Sequence, residues 1–365
     1  MLKHAASIIT LFLCALLVYL SKDAMAAARD GFILWRDMVL PALFPFFVCT
    51  YILQKTNPFT RLNSKKTRPA VSSLPVLVMS CMSGAPSGAR LCGMYAGSGQ
   101  LDLGYARNLA AVCNLASPVF IVGSLCLSML EAPQLALPVA LAHYLSAILL
   151  YPAVFIFSAP SRETLKPQEQ CRPEYAGLSK TIVDALGNGM KAMLQILGTI
   201  IFFMVLIQVL ERIRALAAVE GVLTAAGLGG PALRPIFIGL MEMTNGCRAL
   251  AAAQLPLSSA AAAAAFIITF GGVCVFIQSL AFIRLNPLRY LGIKLTQACL
   301  AALLAYLFSL LFLGSQSAGF TLSPDRLKSN AMSATAILAS SILASSVVYL
   351  YAAIAASRKR KPSEY

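Results

Sequence analysis

The chain has 365 residues, of which 59% are hydrophobic and only 12% are charged, and its mean hydropathy is +0.77. A soluble domain of this length cannot bury so much apolar material, so these values exclude a soluble protein and indicate one that spans a lipid bilayer. The formal charge of +15 does not indicate a nucleic-acid partner, because the Lys and Arg residues form short clusters beside apolar runs.

Uncharged stretches of about 20 residues match the thickness of the hydrocarbon core of a bilayer, at about 1.5 Å of rise per helical residue. The sequence therefore predicts an all-α polytopic membrane protein, and the run 291–313 is interpreted as apolar on all faces. We expect about eight transmembrane helices, near residues 5–20, 34–53, 105–130, 134–158, 189–211, 259–283, 290–314 and 333–356.

Two further apolar stretches, 72–99 and 234–256, are interrupted near the middle by small and polar residues, at 83–88 and at 244–246. This pattern predicts two re-entrant hairpins. Lys and Arg accumulate in cytoplasmic loops, and the bias is clear here only if both hairpins return to their side of origin, which places both termini in the cytoplasm. The first span is either an uncleaved anchor, which we favour, or a signal peptide cleaved near the small residues 24–26.

The two halves of the chain show a weak internal duplication. Each unit consists of a span, a hairpin and two further spans, and three crossings per unit turn the second copy upside down relative to the first. This is an inverted repeat, an architecture typical of secondary transporters. The aligned segments are 41–47 with 197–203, 87–90 with 245–248, and 120–124 with 275–279.

The duplication gives the predicted domain boundaries. A membrane anchor is followed by a first repeat, a cytoplasmic basic linker, a second repeat, and a C-terminal helix with a basic tail. These units cover residues 1–30, 31–160 with hairpin 72–99, 161–188, 189–315 with hairpin 234–256, and 316–365, respectively.

The hairpin tips are the predicted substrate site, because irregular backbone at membrane depth must line a cavity or lie buried in protein. Three ionisable residues, Arg90, Glu242 and Arg248, lie in or beside the hairpins. Arg90 and Arg248 occupy matching positions in the two repeats, so we expect them to bind a dicarboxylate together. The alternative is that one or both reach the membrane surface or pair with Glu242.

The spans that follow the hairpins carry polar residues near predicted helix breaks, at Pro118 and at Gly271-Gly272 with Thr269. His143 lies alone in an apolar span, which favours a packing or polar-contact role over a metal or proton-relay role. The predicted substrate-binding residues are Ser83, Gly84, Pro86, Ser87, Arg90, Asn114, Ser117, Glu242, Thr244, Asn245, Gly246, Arg248 and Gln278.

Other chemistry is not indicated. The ten cysteines are scattered singly, so neither a metal site nor a disulfide framework is predicted. The chain has no hydrolase, metalloprotease or P-loop motif, so we expect no enzymatic activity and no cofactor. Transport would then use an ion gradient or facilitated flow, with a coupling ion that the sequence does not identify.

Four motifs stand out: LPALFPF (40–46), MSGAPSGAR (82–90), NLASPVF (114–120) and GLMEMTNG (239–246). They resemble the sporulation integral membrane proteins of the YlbJ type (stage V sporulation protein V), which are built from paired Gate, or nucleoside-recognition, domains. The resemblance implies a core similar to concentrative nucleoside transporters, with two opposed hairpins around a midplane site and an elevator-like movement. Arg90 stands where the family pattern has Lys, and no sodium-site residues of nucleoside transporters are matched.

For function, the resemblance implies transport of dipicolinate across the outer forespore membrane of a spore-forming bacterium. Paired arginines suit such a dicarboxylate, so the leading expectation is a transporter of a small organic anion. Two alternatives remain: a nucleoside transporter, and a non-transporting membrane scaffold needed for spore assembly. Membrane lipids are expected partners, and a homo-oligomer is compatible with the sequence although no span has a pattern that identifies an interface.

Overall fold

The computed structural model describes residues 2–56, 69–158, 161, 177–226 and 229–313, and the regular structure in these ranges is helical, without a strand. The predicted all-helical class is therefore confirmed. The α-helices are α1 (Leu2–Tyr19), α2 (Ser21–Leu34), α3 (Leu40–Thr56), α4 (Pro69–Ser72), α5 (Leu74–Ser83), α6 (Ser87–Gly97), α7 (Leu103–Cys113), α8 (Ala136–Phe157), α9 (Leu178–Arg212), α10 (Ala215–Ala225), α11 (Leu233–Met241), α12 (Met243–Ala252), α13 (Leu257–Phe270), α14 (Gly272–Leu280) and α15 (Pro287–Leu313). The described residues also contain two π-helices (Trp35–Val39 and Phe120–Met129) and a 3₁₀ turn (Pro133–Leu135).

Four described helical segments are long and apolar enough to cross a membrane, and they coincide with four of the predicted spans. A fifth exists if Thr10–Tyr19 and Ser21–Val39, which meet at a bend of 96°, form one broken span. The predicted span 333–356 lies outside the described residues, so the count of eight stays a prediction. The four segments are Pro133–Phe157, Leu178–Arg212, Leu257–Leu280 and Pro287–Leu313.

The helix that contains the predicted span 34–53 begins earlier in the chain, at Ser21. The chain is helical without interruption over residues 21–56, and the π-helix Trp35–Val39 joins α2 to α3. In this π-helix the N–H of Leu40 donates to the carbonyl of Trp35, five residues earlier. The next residue, Pro41, has no N–H to continue a regular α-helical pattern. The Trp35 indole donates to the Met193 carbonyl at 3.1 Å, which ties this helix to α9.

Helical hairpins occupy both predicted positions. Hairpin 1 consists of α5 and α6, and its tip is the segment 84–86, where Gly84 has a φ of +79°. Hairpin 2 consists of α11 and α12, and its tip is Glu242, whose backbone is extended. Hairpin 1 turns within the predicted interruption 83–88. In hairpin 2 the predicted interruption 244–246 is wrong, because these residues lie in the first turn of α12 and the chain turns at Glu242, whose carboxylate caps that helix. Their depth in a membrane stays a prediction.

The helix that follows each hairpin is broken. The predicted span 105–130 is not one helix, because α7 ends at Cys113 and a non-helical segment precedes the π-helix Phe120–Met129. Pro118 lies in this break and lacks the N–H of a regular helical residue. In the second half, α13 and α14 are separated by Gly271, and Gly271 and Gly272 have φ values of +78° and +79°, which glycine adopts without strain.

The same order of elements therefore occurs twice: a long helix, a hairpin, a broken helix and a second long helix. α3, hairpin 1, α7 with its π-helix, and α8 correspond to α9, hairpin 2, α13 with α14, and α15. The centre of the fold combines both halves, since α15 packs against α7, α8 and α13. The recurring order agrees with the predicted duplication, while the inversion of one half relative to the other stays a prediction.

Candidate functional site

A cavity lies beside the tip of hairpin 1. Its walls come from both halves of the chain: α3, the start of α6, α9 and the end of α14 with the residues just beyond it. The lining includes aromatic, amide and cationic side chains. They are the aromatic residues Phe47, Tyr51 and Phe282, the amides Asn188, Gln195 and Gln278, and the guanidinium of Arg90.

Arg90 gives this cavity its charge. It is the sole charged residue of the lining, and the described part of the chain places no carboxylate within ion-pair distance of it. Its guanidinium lies over the ring of Tyr51, with 5.9 Å between the guanidinium carbon and the ring centroid. α6 also begins in the lining, at Ser87, and the positive end of its helix dipole favours an anion there.

Hairpin 2 has a different geometry. Glu242 is 3% exposed, and its carboxylate accepts hydrogen bonds from the backbone N–H groups of Thr244 at 2.9 Å and Asn245 at 2.7 Å. It therefore caps the N-terminus of α12, where a negative charge is favoured by the helix dipole. Arg248 is exposed, and its guanidinium lies 3.9 Å from the carboxylate of Asp30, which is outside the cavity lining.

Asn245 is the unusual residue of hairpin 2. It is 6% exposed, and within the described residues neither its side-chain oxygen nor its side-chain nitrogen has a hydrogen-bond partner. A buried amide without a partner normally binds water or a ligand. Asn245 corresponds to Ser87 in the predicted duplication, and Ser87 lines the cavity.

Of the residues that the sequence predicts to bind substrate, four line the cavity: Pro86, Ser87, Arg90 and Gln278. The others form two groups outside the lining, and substrate contact stays a prediction for every one of them. One group packs between hairpin 1 and the break after α7, and the other is in hairpin 2. The first comprises Ser83, Gly84, Asn114 and Ser117, and the second comprises Glu242, Thr244, Asn245, Gly246 and Arg248.

Asn114, at the break after α7, connects three elements. Its side-chain oxygen accepts a hydrogen bond from the N–H of Ala89 in α6 at 2.9 Å. Its side-chain nitrogen donates to the hydroxyl of Ser279 in α14 at 2.7 Å and to that of Tyr290 in α15 at 2.9 Å. Both ends of the amide are thus occupied, so Asn114 fixes hairpin 1 to the second half of the fold.

His143 links the two helix breaks by hydrogen bonds. It is fully buried, and its Nε2 accepts a hydrogen bond from the N–H of Ala116 at 3.0 Å. Nδ1 therefore carries the ring proton and donates to the hydroxyl of Thr269 at 2.7 Å. These contacts agree with the polar-contact role that we expected for this residue. They connect the helix break of the first half to that of the second half.

Lys294 is a buried cation in the predicted span 290–314, and the sequence did not lead us to predict a role for it. It is 0% exposed, and its ammonium donates to the carbonyl oxygens of Asn114 at 2.6 Å and Thr269 at 2.9 Å. The interpretation of 291–313 as apolar on all faces is therefore wrong, because Lys294 and Gln297 lie on one polar face of α15 that is buried in the protein. The available signal was a lysine within an apolar run, since charge at such a position normally faces a partner.

Tyr51, Asn188 and Gln195 also line the cavity but are not among the predicted site residues. No local pattern in the sequence distinguishes them from other aromatic and amide residues of the apolar helices. Within the described ranges, no group of three or more His, Cys, Asp and Glu side chains is placed to hold a metal ion.

Comparison with known proteins gives one informative match. The chain is similar to the sporulation integral membrane protein YlbJ of Bacillus subtilis (strain 168), with 24% identity over 310 residues that cover 77% of this chain and 75% of the relative. No family model and no solved structure matches the chain. The similarity supports the resemblance to the YlbJ family, while the Gate-domain and nucleoside-transporter parts of that resemblance stay predictions. Together with the apolar helices it supports a location in a membrane.

Proposed function

We propose that this protein transports a small organic anion across a membrane during sporulation, with dipicolinate, an aromatic dicarboxylate, as the leading substrate. The observation that carries the proposal is the cavity at hairpin 1, whose single charged lining residue is Arg90. The relative's printed name, which describes an integral membrane protein of sporulation, supports the biological setting. We place the protein in the outer forespore membrane with both termini in the cytoplasm.

The lining offers a distinct role for each part of such a substrate. The Arg90 guanidinium binds one carboxylate through two parallel hydrogen bonds. The rings of Tyr51 and Phe47 contact the faces or edges of the pyridine ring. The side-chain amides of Asn188 and Gln195 donate hydrogen bonds to the second carboxylate.

This geometry changes the predicted role of Arg248. Arg90 and Arg248 match in the predicted duplication, but Arg90 lines the cavity whereas Arg248 is exposed beside Asp30. In the proposed mechanism Arg90 binds the substrate carboxylate in this conformation. The recurring order of elements supports an alternating-access movement in which the hairpins shift relative to the remaining helices.

A flux measurement tests the proposal. The purified protein is reconstituted in liposomes, and uptake of labelled dipicolinate and labelled uridine is compared in the native protein, Arg90→Gln, Arg90→Lys and Arg248→Gln. Arg248→Gln is the matched control, since it removes the same charge outside the cavity. We expect saturable dipicolinate uptake that Arg90→Gln lowers about tenfold or more, a partial recovery in Arg90→Lys, and little change in Arg248→Gln.

Other outcomes assign other functions. Saturable uridine uptake without dipicolinate uptake would favour a nucleoside transporter. Uptake of neither solute by a correctly inserted protein would favour the membrane scaffold. Equal dipicolinate uptake by the native protein and Arg90→Gln would retain the transport function but remove Arg90 from the site.

A further inference from the structure

The ammonium of Lys294 is surrounded by oxygen atoms from three positions in the chain. It donates to the main-chain carbonyls of Asn114 at 2.6 Å and Thr269 at 2.9 Å, and the side-chain oxygen of Gln297 lies at 3.5 Å. The amide nitrogen of Gln297 in turn donates to the carbonyl of Val112 at 3.3 Å, which aims its oxygen at the ammonium. The three donors of Lys294 thus have three acceptors, all of them neutral.

The two carbonyls belong to the C-terminal ends of two helices. Asn114 is the C-cap of α7, and Thr269 lies in the last turn of α13, which ends at Phe270. A helix carries a partial negative charge at its C-terminus, so two negative helix ends converge on one ammonium. Among the described residues no carboxylate forms an ion pair with Lys294. The helix ends therefore compensate the buried charge.

Oxygen atoms arranged in this way are a binding site for a cation. Unwound backbone carbonyls and the C-terminal ends of broken helices are the groups that coordinate Na⁺ in many secondary transporters. Neutral oxygens without a carboxylate suit a monovalent cation, whereas Ca²⁺ and Mg²⁺ are normally bound with carboxylates. Here the ammonium of Lys294 lies where such a cation would bind.

We infer that Lys294 is a tethered cation that permanently fills a monovalent-cation site formed by the carbonyls of Asn114 and Thr269 and the side chain of Gln297. The native protein accordingly holds its two broken helices together without bound Na⁺ or K⁺. Truncation of the lysine side chain opens the site to a free cation. The assignment rests on the geometry of the helix breaks and does not depend on the proposed transport function.

Thermal unfolding in detergent tests the assignment without a transport assay. The native protein, Lys294→Ala and Lys294→Met are compared in sodium, potassium and N-methylglucamine chloride at equal ionic strength. We expect one Tm for the native protein in all three salts. Lys294→Ala should have a lower Tm in N-methylglucamine and regain about 3–5 °C with saturating Na⁺ or K⁺. Lys294→Met fills the space with an apolar chain, so its Tm should be low in every salt.

A folded Lys294→Ala protein that Na⁺ and K⁺ stabilise no better than N-methylglucamine would overturn the assignment and leave Lys294 as a structural contact alone. The native protein gives a second test if that variant does not fold. A native Tm that is higher in Na⁺ or K⁺ than in N-methylglucamine would contradict a site already filled by lysine. A native protein with neither uptake nor salt dependence would count against the proposed function but not against the tethered cation.

Discussion

The ammonium of Lys294 lies 2.6 Å from the carbonyl oxygen of Asn114, a residue 180 positions earlier in the chain. The same ammonium contacts Thr269, so one side chain of α15 joins the broken helix of the first half to that of the second. The side chain of Asn114 adds contacts to hairpin 1, α14 and α15. The centre of the protein is thus a polar junction between the two halves, adjacent to the proposed substrate cavity.

Asn114→Ala should destabilise this junction. The substitution removes three hydrogen bonds and leaves the N–H of Ala89 and the hydroxyl of Tyr290 without this partner, so we expect a loss of about 3 kcal/mol in the free energy of unfolding. Asn108→Ala is the control, since that buried side chain has one described bond, to Ser158. Its expected loss is about 1 kcal/mol. Denaturant unfolding in detergent measures both, and equal losses would contradict the central role of Asn114.

Gly88→Ala should displace hairpin 1. A Cβ atom on Gly88 would overlap the carbonyl of Cys113, because α6 and α7 approach each other backbone to backbone at this point. We expect a loss of about 1–3 kcal/mol in stability and reduced dipicolinate uptake. Gly198→Ala is the matched control in α9, where a Cβ would meet no atom within 4 Å. A Gly88→Ala protein as stable as Gly198→Ala would show that the two helices can separate without cost.

Tyr51 should contribute to substrate affinity through its ring. The ring holds the Arg90 guanidinium by a cation–π contact worth about 0.5–1 kcal/mol, so Tyr51→Ala should raise the KM for dipicolinate about two- to fivefold. Tyr51→Phe keeps the ring and should retain the native KM. If Tyr51→Phe instead resembles Tyr51→Ala, the hydroxyl group and not the ring faces the substrate.

Glu242 should act on stability and not on substrate affinity. Its two carboxylate oxygens accept two backbone N–H groups of α12, whereas the side chain of Glu242→Gln has one oxygen and no charge. We expect Glu242→Gln to lower the free energy of unfolding by about 1 kcal/mol and to leave the KM for dipicolinate unchanged. A changed KM, or a gain in uridine uptake, would place Glu242 in contact with the substrate.

Local chemistry in the sequence determined the class of protein and the places where helices stop. Continuous apolar runs predict membrane helices because the backbone must satisfy its own hydrogen bonds in lipid. The residues 83–88, Pro118 and the pair Gly271-Gly272 predict interruptions, because proline lacks a donor and glycine adopts positive φ. The structure has a hairpin tip or a helix break at each of these places. Such effects depend on a few neighbouring residues, so they can be inferred from the sequence.

Only the tertiary structure decided which side chains meet. Arg90 and Arg248 have equivalent sequence positions, yet one faces the cavity and the other lies beside Asp30. Lys294 lies in a span that was interpreted as apolar, and its partners Asn114 and Thr269 are revealed only when α15 packs against both broken helices. Helix periodicity fixes the face on which a residue lies, but the packing of distant helices determines whether that face contacts a cavity, a charge or lipid.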